Sequence, residues 1–199
     1  RDYFDIVWAS PPCTYYSNLQ NCWIGRKKRD GILVSKELIE EQRKESDKLI
    51  EKTLEIIKYF NPELWFMENP QTGQLKDRNI VKGLSYYDVD YCMYSHWGYK
   101  KRTRIWTNKK DWNNKLCDGS GACGNMILID GGKRPQHKTA FGNSVSQKKL
   151  KKHKFNVSKD VHTIGEIKHK KQVSDVGCGT NRLDRYRVPA DLIYSLFLE

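Results

Sequence analysis

Phe4-Asp5-Ile6-Val7-Trp8-Ala9-Ser10-Pro11-Pro12-Cys13-Thr14 is the stretch around which the chain is organised. The apolar run from Phe4 to Ala9 is short, bulky and β-branched, which predicts a buried strand. Pro11 and Pro12 end it, because neither can donate a ladder hydrogen bond and each fixes its own φ. Cys13 therefore falls just past the carboxyl end of a strand, where open α/β sheets place ligands and chemistry. A thiol held there on a rigid turn is a candidate nucleophile. Taken alone, a cysteine beside an apolar run equally fits a buried, inert thiol.

The next segments give that strand a neighbour. Leu38, Ile39, Leu49, Ile50, Leu54, Ile57 and Phe60 recur at helical spacing, with polar Gln42 and Ser46 interrupting the stripe. The spacing predicts a helix from Lys36 to Phe60, capped by Ser35 and ended by Asn61-Pro62. Leu64-Trp65-Phe66-Met67 is a second short apolar run, and Glu68-Asn69-Pro70 punctuates its end. Strand, helix, strand is a βαβ unit, so the two strands are expected as parallel neighbours. Parallel order places both carboxyl tips on one sheet edge, where Cys13 and Glu68 can face a common pocket. Because only Arg1-Asp2-Tyr3 precede the first strand, that strand is expected mid-sheet, with its earlier neighbours outside the chain.

Between these elements runs a polar loop to about Gly31, long enough to act as a lid. It holds Tyr15, Tyr16 and Trp23 beside the basic run Arg26-Lys27-Lys28-Arg29, a mixture suited to stacking on bases and pairing with phosphates. An ordinary exposed loop with anchoring aromatics reads the same way. Farther on, Tyr86 to Tyr94 and Arg102 to Thr107 alternate bulky and polar residues, which predicts two strands joined by a hairpin-like loop. Arg102 and Arg104, two apart, share one face and suit a phosphate or a base edge. An exposed basic edge strand competes with that reading.

Composition bounds the partners. The 199 residues suffice for one fair-sized domain with a small appendage. A formal net charge of +12 and a pI near 9.4 favour a polyanion, nucleic acid first, over a merely solvated lysine face. No apolar run is long enough to span a membrane and no signal peptide is visible, so no membrane partner is expected. Six cysteines are too sparse for a disulfide scaffold and point to a reducing, cytoplasmic or nucleoid-associated setting rather than secretion.

From about 109 to 181 the chain turns rich in Lys, Gly, Asn and His. Its basic runs, Lys148-Lys149-Leu150-Lys151-Lys152-His153-Lys154 and Lys168-His169-Lys170-Lys171, fit a small irregular region that touches nucleic acid, or else a partly disordered tail. Cys117, Cys123 and His137 in this region are candidate zinc ligands, although their spacing is not a tight paired type and no fourth ligand is obvious. The zinc reading is therefore the lesser one. The final stretch recovers amphipathic helix character, with Pro189 suited to its first turn. The expected division is an α/β domain over 1–108, the basic region over 109–181, and a return helix over 182–199 packing on the first domain.

A thiolate can add to an electrophilic carbon of a pyrimidine ring, and a carboxylic acid can proton-assist the ring nitrogen that takes up the charge. With this chemistry in view, the residues resemble the DNA (cytosine-5) methyltransferases. Ser10-Pro11-Pro12-Cys13 is similar to their nucleophile motif, Glu68-Asn69-Pro70 to their Glu-Asn-Val motif with Pro for Val, and Arg102-Thr103-Arg104 to their Arg-x-Arg motif. Val188-Pro189-Ala190-Asp191-Leu192 resembles the last family motif, whose Gly-Asn is here Tyr186-Arg187. Trp97-Gly98-Tyr99 and Arg104-Ile105-Trp106-Thr107-Asn108 are especially similar to phage and large-virus members. The resemblance covers about residues 3–108 and the last dozen or so.

That resemblance implies a class I methyltransferase-like (Rossmann-like), mostly parallel sheet with an antiparallel hairpin, plus a small target-recognition region. It implies double-stranded DNA as partner and S-adenosylmethionine as methyl donor. By position Cys13 would attack C6 of a flipped cytosine, Glu68 would engage N3 and the exocyclic amine, and Arg102 and Arg104 would support the flipped base. Pro12 would lie against the cofactor, and Arg26, Lys27, Lys28, Arg29, Lys148, Lys149, Lys151 and Lys152 would meet DNA. Amino-methylating relatives carry an aromatic residue where this chain has Cys13, which favours ring-carbon chemistry.

The family's cofactor motifs precede its nucleophile, and the chain lacks them. Val173-Ser174-Asp175-Val176-Gly177-Cys178-Gly179-Thr180 is superficially similar to a cofactor loop, but no apolar strand leads into it and too little chain follows for a βαβ unit. Gly142-Asn143-Ser144-Val145 reads as a turn. The expectation is a carboxyl-terminal part, with the amino-terminal part on a separate polypeptide, removed, or lost to degradation. Two alternatives stay open: methylation of RNA cytosine, and a nucleic-acid-binding remnant without activity.

Overall fold

A computed structural model describes residues 3–129, 134–138 and 186–198. These residues form an α/β arrangement with a mixed four-stranded sheet and a small two-stranded one. Contacts divide the chain into two compact units, Arg1–Val89 with Arg102–Asn114, and Asp90–Lys101 with Lys115–Glu199. Among the described residues, no helix is long and apolar enough to cross a membrane.

The first unit begins with β1 (Ile6–Ala9), which pairs in parallel with β2 (Leu64–Pro70). The intervening helix α1 spans Lys36–Phe60, as its periodicity predicts. Ser35 accepts a hydrogen bond from the Leu38 amide at 3.1 Å, and Asn61 adopts the left-handed conformation that ends the helix. Ser46 interrupts the apolar stripe without an orphaned hydroxyl, because its Oγ donates to the Gln42 carbonyl at 2.9 Å. Leu49, counted into the stripe, is exposed instead.

The order β1-β2-β4-β3 is completed by β4 (Arg102–Thr107), antiparallel to β2, and by β3 (Tyr86–Asp90) beyond it. The sheet is thus mixed rather than mostly parallel among the described residues. Two strand ends differ from expectation. β2 runs on through Glu68-Asn69-Pro70, because Asn69 and Pro70 still pair with Arg104 and Thr103. β1 stops pairing at Met67, so Pro70 needs no ladder donor on that side. β3 stops at Asp90, because Tyr91–Met93 winds into a 3-10 turn. On its other side β1 pairs with no described strand, and Phe4 and Ile6 stay exposed there.

Tyr16, Ile50, Met67, Leu75, Val81 and Trp106 form the buried cluster between α1 and the sheet. The sequence places Tyr16 in an exposed loop ready to stack on a base; in the structure it is fully buried. Its hydroxyl donates to Asp47 on α1 at 2.9 Å, and burial followed by that bond pushes its pKa upward, well above the ordinary phenol value. Asp47 also pairs with Arg78, which a second carboxylate, Glu40, helps to hold. The segment 14–34 is not a plain loop either. Asn18–Trp23 is a 3-10 turn, and 25–34 closes a tight hairpin through Gly25 N to Val34 O and Val34 N to Arg26 O, both at 2.9 Å.

In the second unit, β5 (Met126–Ile129) and β6 (Arg134–His137) form the antiparallel ribbon, and α2 (Ala190–Leu198) buries Leu192, Ser195 and Leu196. Pro189 accepts from the Ile193 amide at 3.2 Å, just ahead of the helix. The basic runs of 148–154 and 168–171 and the motifs at 142–145 and 173–180 lie outside the described residues.

Candidate active site

Parallel pairing aligns Ala9 with Met67, so the chain leaves both strands at the same sheet edge. Cys13 follows β1 there and Glu68 is the next residue along β2, so the two candidate catalytic residues sit on adjacent strand tips. Cys13 is half-buried, on the turn closed by Tyr16 N donating to Cys13 O at 3.1 Å. Trp8 Nε1 donates to Ser10 Oγ at 2.9 Å and fixes the entry to the Pro-Pro turn. Asn69 Nδ2 donates to the Pro11 carbonyl at 2.9 Å, tying the two tips directly.

Anchors hold the exit of the Cys13 turn as well. Gln74 N donates to Tyr16 O at 2.7 Å, while the Tyr16 ring fills the core below. Gly73 lies where the two tip segments press together: a Cβ there would meet Pro70 O and Tyr16 O, both at 3.2 Å. Only a residue without a side chain lets these backbones approach so closely.

Glu68 is 7% exposed and shares its face of β2 with Phe66, whose ring packs near Trp8 at 5.7 Å. Asn69 Oδ1 and Thr103 Oγ1 are buried without a hydrogen-bond partner among the described residues. Asn69 adjoins Glu68, and Thr103 on β4 pairs with Pro70, so one orphaned atom lies near the end of β2 and the other on the strand paired with it there. Buried polar atoms left open in this way need an explanation, and a polar ligand is one.

The arginines come out differently from the single pocket expected. In register, Glu68 faces Ile105 across the ladder, whereas Arg104 faces Asn69. Neighbouring strand positions point to opposite faces, so Glu68 and Arg104 leave the sheet on opposite sides. Arg104 forms a two-pronged pair with Asp88 on β3, Nε to Oδ1 at 2.7 Å and Nη2 to Oδ2 at 2.9 Å, and lies 3.6 Å over the Tyr86 ring. The Asp88 bond holds its guanidinium even more firmly protonated than usual. Arg102 shares that face by alternation, and its carbonyl accepts from Gln71 N at 3.1 Å.

The basic run sits on the 25–34 hairpin, where Arg26, Lys27 and Arg29 are exposed and Lys28 is half-buried. Trp23 is half exposed beside it, with the Arg26 guanidinium 6.0 Å from its ring. Pro12 is exposed on the Cys13 turn. Lys148, Lys149, Lys151 and Lys152 lie outside the described residues.

In the second unit, Cys117 and Cys123 approach His137, as the sequence singled them out, and buried Cys92 joins them. Burial pushes the Cys92 and Cys123 thiols above the ordinary cysteine value and His137 below its own. Asn69, Asp88, Tyr86 and Cys92 thus matter at or beside the candidate sites, and sequence reading assigned them no role there. The alternation of Tyr86 and Asp88 with the same period as Arg102 and Arg104 was the one signal that could have found the ion pair.

No family model matches the chain. It is similar to a probable DNA (cytosine-5)-methyltransferase of Frog virus 3 (isolate Goorha), 42% identical over 123 residues, or 62% of this chain. The chain spans about half the length of this curated relative, 55% of it. The resemblance to DNA (cytosine-5) methyltransferases, those of large viruses included, is thereby borne out.

Proposed function

We propose that this relative of the DNA (cytosine-5) methyltransferases adds Cys13 to a cytosine turned out of double-stranded DNA. The Cys13 thiolate forms a bond to C6, and the C5–C6 double-bond electrons move toward N3, where Glu68 supplies a proton and accepts from the exocyclic amine. C5 then carries the enamine character that would let it accept a methyl group from a sulfonium donor, which would leave as the neutral thioether. Loss of the C5 proton, expulsion of the Cys13 thiolate and return of the N3 proton to Glu68 would then restore the ring and the enzyme. The base must leave the stack for Cys13 to reach it. The 25–34 hairpin, with Arg26, Lys27, Lys28 and Arg29, contacts backbone phosphates, whereas Arg102, on the sheet face opposite Glu68, is given no contact with the extruded base. Arg104 works at one remove, fixing β4 to β3 through Asp88.

S-adenosylmethionine is the donor the family implies. The described residues do not fit it: β1 is followed by Ser10-Pro11-Pro12-Cys13 and β2 by Gln71-Thr72-Gly73, where even a Cβ meets backbone oxygens at 3.2 Å. Neither tip offers the open Gly-rich turn that cradles a nucleoside. No step is therefore routed through the cofactor on these residues. We read the β1–α1–β2 unit as one part of a class I methyltransferase-like (Rossmann-like) sheet.

The observation that carries this reading is the hydrogen bond from Asn69 to Pro11, which unites the Cys13 turn with the Glu68 tip. Trapping tests it. Duplexes bearing 2-pyrimidinone in place of cytosine accept a thiolate at C6 and need no methyl transfer to hold it. A denaturant-stable adduct mapped to Cys13, stronger on duplex DNA than on RNA, is expected. Retarded DNA without any adduct, even with the rest of the relative's length supplied, would favour a binding protein without activity.

A further inference from the structure

The second unit holds a group of side chains that the proposed methylation does not use. We propose that Cys92, Cys117, Cys123 and His137 form a structural zinc site that staples this unit together. Their ligand atoms all lie within 4.8 Å of one another. His137 Nε2 is 3.7 Å from Cys117 Sγ and 3.6 Å from Cys123 Sγ. A tetrahedral zinc with ordinary Zn–S and Zn–N bonds places sulfur and nitrogen about 3.6 Å apart. The described geometry therefore already has the spacing of a tetrahedral ligand edge.

The donor set selects the metal. Three thiolates and one imidazole are soft, nitrogen–sulfur ligands of the kind that hold zinc tetrahedrally. All four positions come from protein, which leaves no open site for water or substrate and makes the role structural. None of the three cysteines is in a disulfide.

The surroundings support a cage. Asn125 is 1% exposed, and its Nδ2 lies 2.8 Å from Cys92 O, 2.7 Å from Ser95 O and 3.0 Å from Cys123 O. Its Oδ1 accepts from Gly98 N at 2.9 Å. One buried amide thus gathers the backbone of two ligand-bearing segments. Asp90 Oδ2 accepts from Cys117 N at 2.8 Å, and Lys100 Nζ donates to Cys117 O at 2.8 Å. Three thiolates and one imidazole leave a zinc complex with one net negative charge, which Lys100 beside Cys117 tempers.

Need for a staple is visible in the packing. The buried cluster here consists of the three cysteines with Met93 and Met126 against them. The cluster around the ligands is thus built of cysteines and methionines rather than large aliphatic or aromatic side chains, and a metal commonly supplies the cohesion of such a module. The ligands come from the turn after β3, from the loop before β5 and from β6, so one ion joins three segments. Cys92 escaped the sequence reading because it lies far up the chain from the other three.

The inference does not rest on the methylation reading and can be tested alone. The full chain, purified from zinc-replete medium, is expected to carry one zinc per chain by elemental mass spectrometry. Cobalt(II) in its place is expected to give thiolate charge-transfer bands and the intense visible bands of a tetrahedral ion. Cys92→Ala is expected to weaken zinc binding at least tenfold, whereas Cys22→Ala and Cys178→Ala leave it unchanged. In the unmodified chain, Cys92, Cys117 and Cys123 should resist alkylation until a chelator is added, while exposed Cys22 reacts at once. A folded chain without bound metal in which all three thiols alkylate freely would overturn the proposal. So would octahedral cobalt spectra, a disulfide among the three cysteines, or zinc lost in Cys178→Ala but kept in Cys92→Ala.

Discussion

Asn69 and Pro11 are 58 residues apart in sequence, yet the Asn69 side-chain amide donates to the Pro11 carbonyl at 2.9 Å. The bond fixes the turn that carries Cys13 against the strand that carries Glu68. Asn69→Ala leaves the Pro11 carbonyl without its donor and frees the Cys13 turn from β2. The expected cost is about 1–3 kcal/mol of stability, the range for a buried group left unpaired. Adduct formation at Cys13 should slow at least tenfold, more than the stability loss explains. Denaturant titration and trapping rate, measured side by side, separate the two effects.

Cys13→Ser and Glu68→Gln divide the proposed chemistry. Serine keeps the size of the thiol and removes its nucleophilicity, so adduct formation should vanish while stability stays within about 0.5 kcal/mol and DNA retention is unchanged. A glutamine in place of Glu68 cannot give N3 a proton. Adduct formation in Glu68→Gln should be about 10²–10⁴-fold slower, as expected when general acid assistance is withdrawn. An unchanged rate in that variant would remove Glu68 from the mechanism and leave Cys13 untouched.

How far these features were legible follows from how local their causes are. Helix α1 matches its predicted bounds because Ser35, the apolar period and Asn61-Pro62 all lie within the segment they define. The parallel β1–β2 pair was legible because a helix between two short apolar runs leaves one topology open. Tyr16 misled, because its burial depends on Asp47 and on Leu75, neither of which shares its local pattern. The extension of β2 through Pro70 depends on β4, and the Cys92 contribution depends on a loop some distance along the chain. Arg102 and Arg104 were rightly placed on one strand face, but the register with β2, which sets that face opposite Glu68, is not written in either strand alone.

Arg104→Lys tests the assignment of Arg104 as a positioning residue. Lysine keeps the charge but cannot form the two-pronged pair with Asp88 or stack flat on Tyr86. The expected loss is about 1–3 kcal/mol of stability, since the pair is largely buried. Apparent affinity for DNA should fall less than twofold. A large drop in DNA affinity with unchanged stability would instead make Arg104 a direct contact.

Gly73→Ala probes the close approach of the two tip segments. The added Cβ would sit 3.2 Å from both Pro70 O and Tyr16 O, and neither atom is the movable end of a side chain. One of the two backbones must give way, at about 1–3 kcal/mol for overpacking. Tyr16 is pinned by its ring in the core and by Asp47, so the Pro70 side is expected to yield and carry Glu68 away from Cys13. Adduct formation should then fall at least fivefold while thermal unfolding stays cooperative. Equal trapping rates in Gly73→Ala and the unmodified chain would show that Cys13 works without close contact between the two tips.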